Sequence, residues 1–279
     1  MTLSIGEAKM TVPHVSTIPK STHKEAGQLS QVAYERLLDV LMQLSGTDWT
    51  QPTYCTEWTV RDMTAHLAGA VTGSTSIAEF RRQNVQNPYL KEFSDPVDGT
   101  NKLQLEDRAG KTPAELVAEF RQNGQVAVNN RQKLPWLVRN IHLQMGSLGF
   151  ASIEYLMDVI YPRDQWMHRY DICAATGKEM VVTPEHDGRL IALILRDLAQ
   201  NLKKQLGSRT VDLRLFGALE ATYRFGRGSR PTAVIEMDFF DFNLLASGRK
   251  KVADVMGQTA VSGENTAADW FLTNISVVY

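Results

Sequence analysis

Two residues set the chemical question. Asp164 and His168 are four positions apart, and on a helix that spacing puts a carboxylate and an imidazole on one face, about one turn apart. Both can reach a single divalent ion. A third ligand must come from another element, and among the six histidines His66 is the best placed. Two imidazoles and one carboxylate leave a coordination position for water or substrate, as catalytic zinc sites do and closed structural sites do not. On spacing alone the ordinary reading of each histidine is a hydrogen-bonded or half-exposed side chain. Asp62 and His66 show the same step, and Asp62 has a plainer role as the partner of Thr59 in a helix-capping box.

The elements that must position these residues are mostly helical. Apolar residues recur at three- and four-residue steps from Lys24 to about Leu44, the pattern of one buried helix face. A second helix starts after Thr59, carries His66 and continues toward Phe80; a third starts at Thr112-Pro113 and runs to about Lys133. A fourth pattern spans Ala151 to Thr176, carries Asp164 and His168, and closes at Gly177; Pro162 forces a kink or a restart within it. Asp187 to Leu206 supplies one more amphipathic helix. After Gly207 the pattern changes: Val211–Leu215 alternates with period two, and residues 221–225 and 232–240 are rich in aromatic and β-branched side chains. The sequence therefore predicts an α+β protein in three parts: a flexible lead-in over residues 1–23, a helical bundle over 24–206 that carries the three candidate ligands, and a smaller α+β domain over 207–279.

A resemblance sharpens this reading. The run Cys55-Thr-Glu-Trp58-Thr-Val-Arg-Asp62-Met-Thr-Ala-His66-Leu67-Ala-Gly69 resembles the signature that opens the second bundle helix in the mycothiol-dependent maleylpyruvate isomerase family, part of the DinB-like metalloproteins. Arg163-Asp164-Gln-Trp166-Met-His168-Arg169-Tyr-Asp171 is similar to that family's second signature. The resemblance implies a DinB-like four-helix bundle followed by a sterol-carrier-like α+β domain, with zinc held by His66, Asp164 and His168. The family's middle ligand is commonly glutamate, so Asp164, shorter by one methylene, must bring its helix closer to the ion. The implied chemistry is thiol activation, because a bound dication lowers a thiol's pKa from about 8.5 and supplies thiolate at neutral pH. A low-molecular-weight thiol such as mycothiol would then attack an electrophilic small molecule, in a cis-trans isomerase or a thiol S-transferase. Arg249 is the expected cationic contact for anionic groups of the substrate, since a guanidinium holds a carboxylate with two hydrogen bonds. The alternative from another class is a non-catalytic DinB-like protein that binds a metal or small ligand.

Other residues receive plainer readings. Trp58 and Trp166 could wall a pocket, although large aromatics on helix faces are ordinarily core. Arg169 and Asp171 suit ion-pair or ligand-orienting roles. Cys55 has no basic partner placed beside it by sequence. Composition excludes broad classes: 30 Lys and Arg against 31 Asp and Glu leave a net charge of −1, with no surplus for nucleic acid or an anionic membrane. No apolar run approaches the roughly 20 residues of a spanning helix. Two cysteines in the 279 residues fit a reducing cytoplasm rather than a secreted disulfide scaffold.

Overall fold

The computed structural model describes residues 11–279; the part of the expected lead-in before Thr11 lies outside the described residues. The chain divides into two compact units. One is helical, Ser21–Val181 with Val278–Tyr279; the other is mixed, comprising the residues through Lys20 with Val182–Val277.

In the helical unit, α1 (His23–Met42) begins with a capping box between Thr22 and Glu25. Helix α2 (Val60–Thr72) begins with the same device between Thr59 and Asp62, and α5 (Pro113–Gln132) with Thr112 and Glu115. Each box satisfies backbone donors that the first helical turn leaves unpaired. The second helix stops at Gly73 instead of continuing to Phe80. The chain turns there, and Ser76 caps a separate helix, α3 (Ile77–Asn84). Helix α4 (Pro96–Glu106), absent from the sequence reading, is capped by Asp95 with proline in its first turn. A short helix α6 (Trp136–Arg139) leads to a hairpin of β1 (His142–Gln144) and β2 (Phe150–Ser152), turned by Gly146 and Gly149.

Helix α7 (Ile153–Tyr155) then runs through a π-helical segment, Leu156–Ile160, into α8 (Tyr161–Thr176). Pro162 is accommodated in the first turn of α8, directly after the wider segment, where its missing N–H disturbs the hydrogen-bond ladder least. Gly177, at φ +66, ends the helix in the left-handed conformation.

Helices α1, α2, α5 and α8 share one core. Leu37 and Leu41 of α1, Met63 and Leu67 of α2, Phe120 and Val128 of α5 and Ile172 of α8 are all but fully buried within it. Burial of each such side chain is worth about 1.5–3 kcal/mol, which fixes the separations of the helices that carry the candidate ligands.

The mixed unit contains α9 (Arg189–Leu202), β3 (Val211–Phe216), β4 (Ala221–Phe225), β5 (Ala233–Asp238), α10 (Phe239–Ala246), α11 (Val252–Val255), β6 (Ala260–Gly263) and α12 (Asn265–Asn274). Its sheet has the order β4-β3-β5-β6, with β3 and β5 parallel and the outer pairs antiparallel. Two expectations are corrected. The units divide at Val181 rather than near residue 207, because α9, with seven buried residues, packs with the strand-rich unit. The lead-in is ordered where it is described. Arg224 N donates to Pro13 O at 2.9 Å, and His14 Nε2 lies 2.7 Å from Gly226 O, so this segment extends the sheet edge beside β4.

The α1–α5 contact supplies a test of the packing. A Cβ built on Gly124 would overlap Cε2 and Cδ2 of Tyr34, whose ring is pinned by its hydroxyl donating to Arg121 O at 2.9 Å. Gly124→Ala should therefore destabilise the protein by about 1–3 kcal/mol despite the gain in helix propensity. Urea unfolding measures this, and a variant as stable as the parent would show the contact to be soft.

Candidate metal centre

His66 lies in the second turn of α2, and Asp164 and His168 lie one turn apart on α8. Capping at Thr59 sets where α2 begins; the π segment before Tyr161 sets the phase of α8. With these in place, Asp164 Oδ1 stands 3.3 Å from His168 Nε2 and 3.8 Å from His66 Nε2. One ligand atom from each residue falls within 4.8 Å of the other two. Donors about 2.0–2.2 Å from a tetrahedral ion stand about 3.3–3.6 Å apart, so the two edges at Asp164 sit at or just beyond that spacing.

The surroundings of the imidazoles differ. His168 Nδ1 donates to Asp171 Oδ2 at 3.0 Å, and Asp171 is fully buried. A carboxylate only accepts, so this bond puts a proton on Nδ1 and turns Nε2 toward Asp164, the arrangement that orients metal-ligating histidines. His66 is also buried, yet neither of its ring nitrogens has a hydrogen-bond partner. A buried imidazole with both nitrogens unsatisfied is costly, and one ion bound at Nε2 would remove half of that cost. The donor set and this orphaned nitrogen both fit a divalent metal.

Charge couples the three groups. Burial pushes the Asp164 carboxyl up, but His168 and His66 outweigh it and hold the group below the usual carboxylate range. Burial lowers His168, but Asp164 and Asp171 outweigh that and raise it to about 9.

The Trp58 ring stands 5.0 Å from that of His66 and 6.2 Å from that of His168, centroid to centroid; it walls the cluster, whereas Trp166 is core. A cavity of about 240 Å³ opens beside His66 and Asp164, with Gln104 and Thr100 of α4 and Tyr161 of α8 among its walls. Val278 and Tyr279 also line it, and Arg163 Nη1 donates to Val278 O at 2.8 Å. Sequence reasoning missed Tyr161, although its three-residue step to Asp164 puts it on the same helix face. It missed the α4 residues because that helix was not recognised.

The remaining candidates separate clearly. Cys55 lies near the cluster, with Sγ, His168 and Asp171 forming a second group within the same 4.8 Å limit. Cys173 is buried and its thiol is pushed up to about 11 by that burial, so it holds its proton at neutral pH. Arg249 belongs to the mixed unit. It follows Gly248 after α10, and its backbone N–H donates to Leu244 O at 2.8 Å.

Comparisons with known proteins agree with this architecture. Two solved structures, the mycothiol-dependent maleylpyruvate isomerase and a histidine-to-alanine mutant of it, superpose with TM-scores of 0.56 and 0.57 at 13% identity. Each match covers 90% of this chain and 96% of the other. At that identity the likeness establishes the fold: a helical bundle with an α+β remainder, as the resemblance implied. No curated protein matches significantly. The family described as the mycothiol maleylpyruvate isomerase N-terminal domain matches residues 31–173, just over half of the chain and all three candidate ligands, and the chain belongs to that family.

Proposed function

We propose that this chain is a metal-dependent enzyme that activates a low-molecular-weight thiol for attack on an electrophilic small molecule. The observation that carries the proposal is the convergence of His66, Asp164 and His168 on one point, with His66 and Asp164 at the wall of a cavity and Asp171 orienting His168. Family membership makes mycothiol the thiol of choice and cis-trans isomerisation of a maleylpyruvate-like compound the reaction of choice, with S-transfer as its variant.

His66, Asp164 and His168 would hold the ion, and zinc suits two imidazoles and a carboxylate. When bound, the ion supplies a Lewis acid that favours thiolate over thiol at neutral pH. The chain's own residues do the rest. Asp171 keeps the His168 tautomer fixed, Trp58 excludes water from one side, and the cavity beside Tyr161 and Gln104 receives the electrophile. Arg249 is proposed to hold an anionic substrate group. For isomerisation, the thiolate adds to the activated cis double bond, rotation follows about what has become a single bond, and expulsion of the thiolate restores the double bond in the trans form. For S-transfer the carbon–sulfur bond is retained, and the carbanion left by the addition takes a proton from water. The cytoplasm, where small thiols are kept reduced, is the proposed compartment; among the described residues no helix is long and apolar enough to cross a membrane.

Elemental analysis of protein purified without added metal should find about one zinc per chain, and His66→Ala and His168→Ala should each reduce occupancy at least tenfold. Full occupancy in either variant overturns the ligand assignment, and iron in place of zinc overturns the metal. With the loaded protein, mycothiol should convert maleylpyruvate to its trans isomer; tight metal binding without any thiol-dependent turnover would favour a binding protein.

Metal binding should also depend on pH with a definite sign. His168, raised to about 9 in the metal-free protein, carries a proton at neutral pH that an ion must displace. Apparent affinity should rise by up to about tenfold per pH unit from pH 6.5 toward 9 and level off above. Competition with a chromogenic chelator reads this directly, and a flat profile would show that His168 is not a ligand.

A further inference from the structure

The helical unit contains a second, larger cavity of about 470 Å³ that includes none of His66, Asp164 and His168. Much of its wall is apolar, from Ile77 and Phe80 of α3, Val138 of α6, Ile153 of α7 and Met157 of the π segment. Arg131, in the last turn of α5, also lines it. This guanidinium is almost completely buried; Nε donates to Ala127 O at 3.3 Å, while Nη1 and Nη2 have no hydrogen-bond partner.

Among the described residues no carboxylate forms an ion pair with Arg131. Its guanidinium carbon lies over the Tyr161 ring, 4.9 Å from the centroid, a contact that offers no acceptor for the two Nη groups. The carboxylates whose fields reach it, Asp164 and Asp158, are engaged elsewhere. Asp164 faces the two imidazoles. Asp158 Oδ2 takes Arg139 Nη2 at 2.7 Å and pairs with His23 Nδ1 at 3.0 Å. Leaving both Nη groups of a buried guanidinium without an acceptor is costly, and these two donors match the two oxygens of a carboxylate.

We infer that this cavity is a binding site for a small organic monocarboxylate with an apolar body. The acid group pairs with Arg131 Nη1 and Nη2, and the apolar part lies along Phe80, Val138, Ile153 and Met157. The volume is in the range of small-molecule sites, about 300–1,000 Å³. A single negative charge is favoured because the other cation on the wall, Lys133, is exposed to water. Phe80 lines both cavities, whereas Arg131 lines only this one and Tyr161, against which it rests, only the other, so the acid group is held by residues that are not candidate metal ligands.

Isothermal titration of the full chain with sodium octanoate in the presence of a chelator tests the inference, with octan-1-ol as the uncharged control. Octanoate should bind one to one. Octan-1-ol should bind about tenfold or more weakly, as should octanoate to Arg131→Met, since hydrogen bonds to a charged group are worth about 1.5–3 kcal/mol. Val138→Trp, which fills the cavity from its wall, should abolish binding and decides the matter if Arg131→Met does not fold. The inference is overturned if octanoate does not bind, if the alcohol binds as well as the acid, or if either folded variant retains the parent affinity. Loss of binding in His66→Ala with Arg131 intact would place the acid at the metal centre and also overturn it.

Discussion

Asp164 can stand between two buried imidazoles only because α2 and α8 are held at a fixed separation by side chains that have no part in the chemistry. The shared core contains Met63, Leu67 and Ala68 from α2 and Ile172 from α8, and protein interiors are packed too densely for such helices to drift independently. Small residues allow the close approaches. Ala65 and Ala68 are fully buried on either side of His66, and a Cβ on Gly69 would collide with Gln104 of α4. The helix that presents a candidate ligand is thus also the one against which a wall of the cavity is packed.

Polar groups extend this order outward from the cluster. His168 is tied to Asp171, one helical turn along α8, while Arg163, the residue before Asp164, holds Val278 O. Away from the cluster, Asp158 in the preceding π segment accepts from Arg139 and pairs with His23. One continuous stretch, residues 156–171, therefore supplies a tie to α1, a tie to the chain's last residues and two of the three candidate ligands. A helix with so many fixed points loses little further freedom on meeting a ligand, which is the condition for preorganised chemistry.

Much of this was legible in the sequence because it rests on local rules. Apolar periodicity marked α1, capping pairs marked α2 and α5, Gly177 marked the end of α8, and the four-residue step put Asp164 and His168 on one face. What was not legible depends on partners distant in the chain. Helix α9 has a strong apolar face, but no sequence pattern says which unit that face will cover. Asp95-Pro96 was a readable start signal for α4, obscured by the loop-like composition around it. Phe239 and Phe240 read as strand by propensity, yet Asp238 accepts from the backbone N–H groups of Phe240 and Asp241 and starts a helix there. Arg131 carried no signal, since a basic residue in a helix's last turn ordinarily complements the helix dipole in solvent.

Asp62 has a consequence for charge balance. Its Oδ2 accepts from both the backbone and the hydroxyl of Thr59, at 3.1 and 2.7 Å, and is committed to starting α2. The carboxylate one turn before His66 is thereby removed from the candidate ligand set, which holds a single acid. Two neutral imidazoles and one carboxylate carry one negative charge, so a dication among them would retain one positive charge on its own ligands, offset only in part by the Asp171 carboxylate behind His168. A centre with that residual charge favours an anion over a neutral molecule of the same shape, and a thiolate would bring it to neutrality.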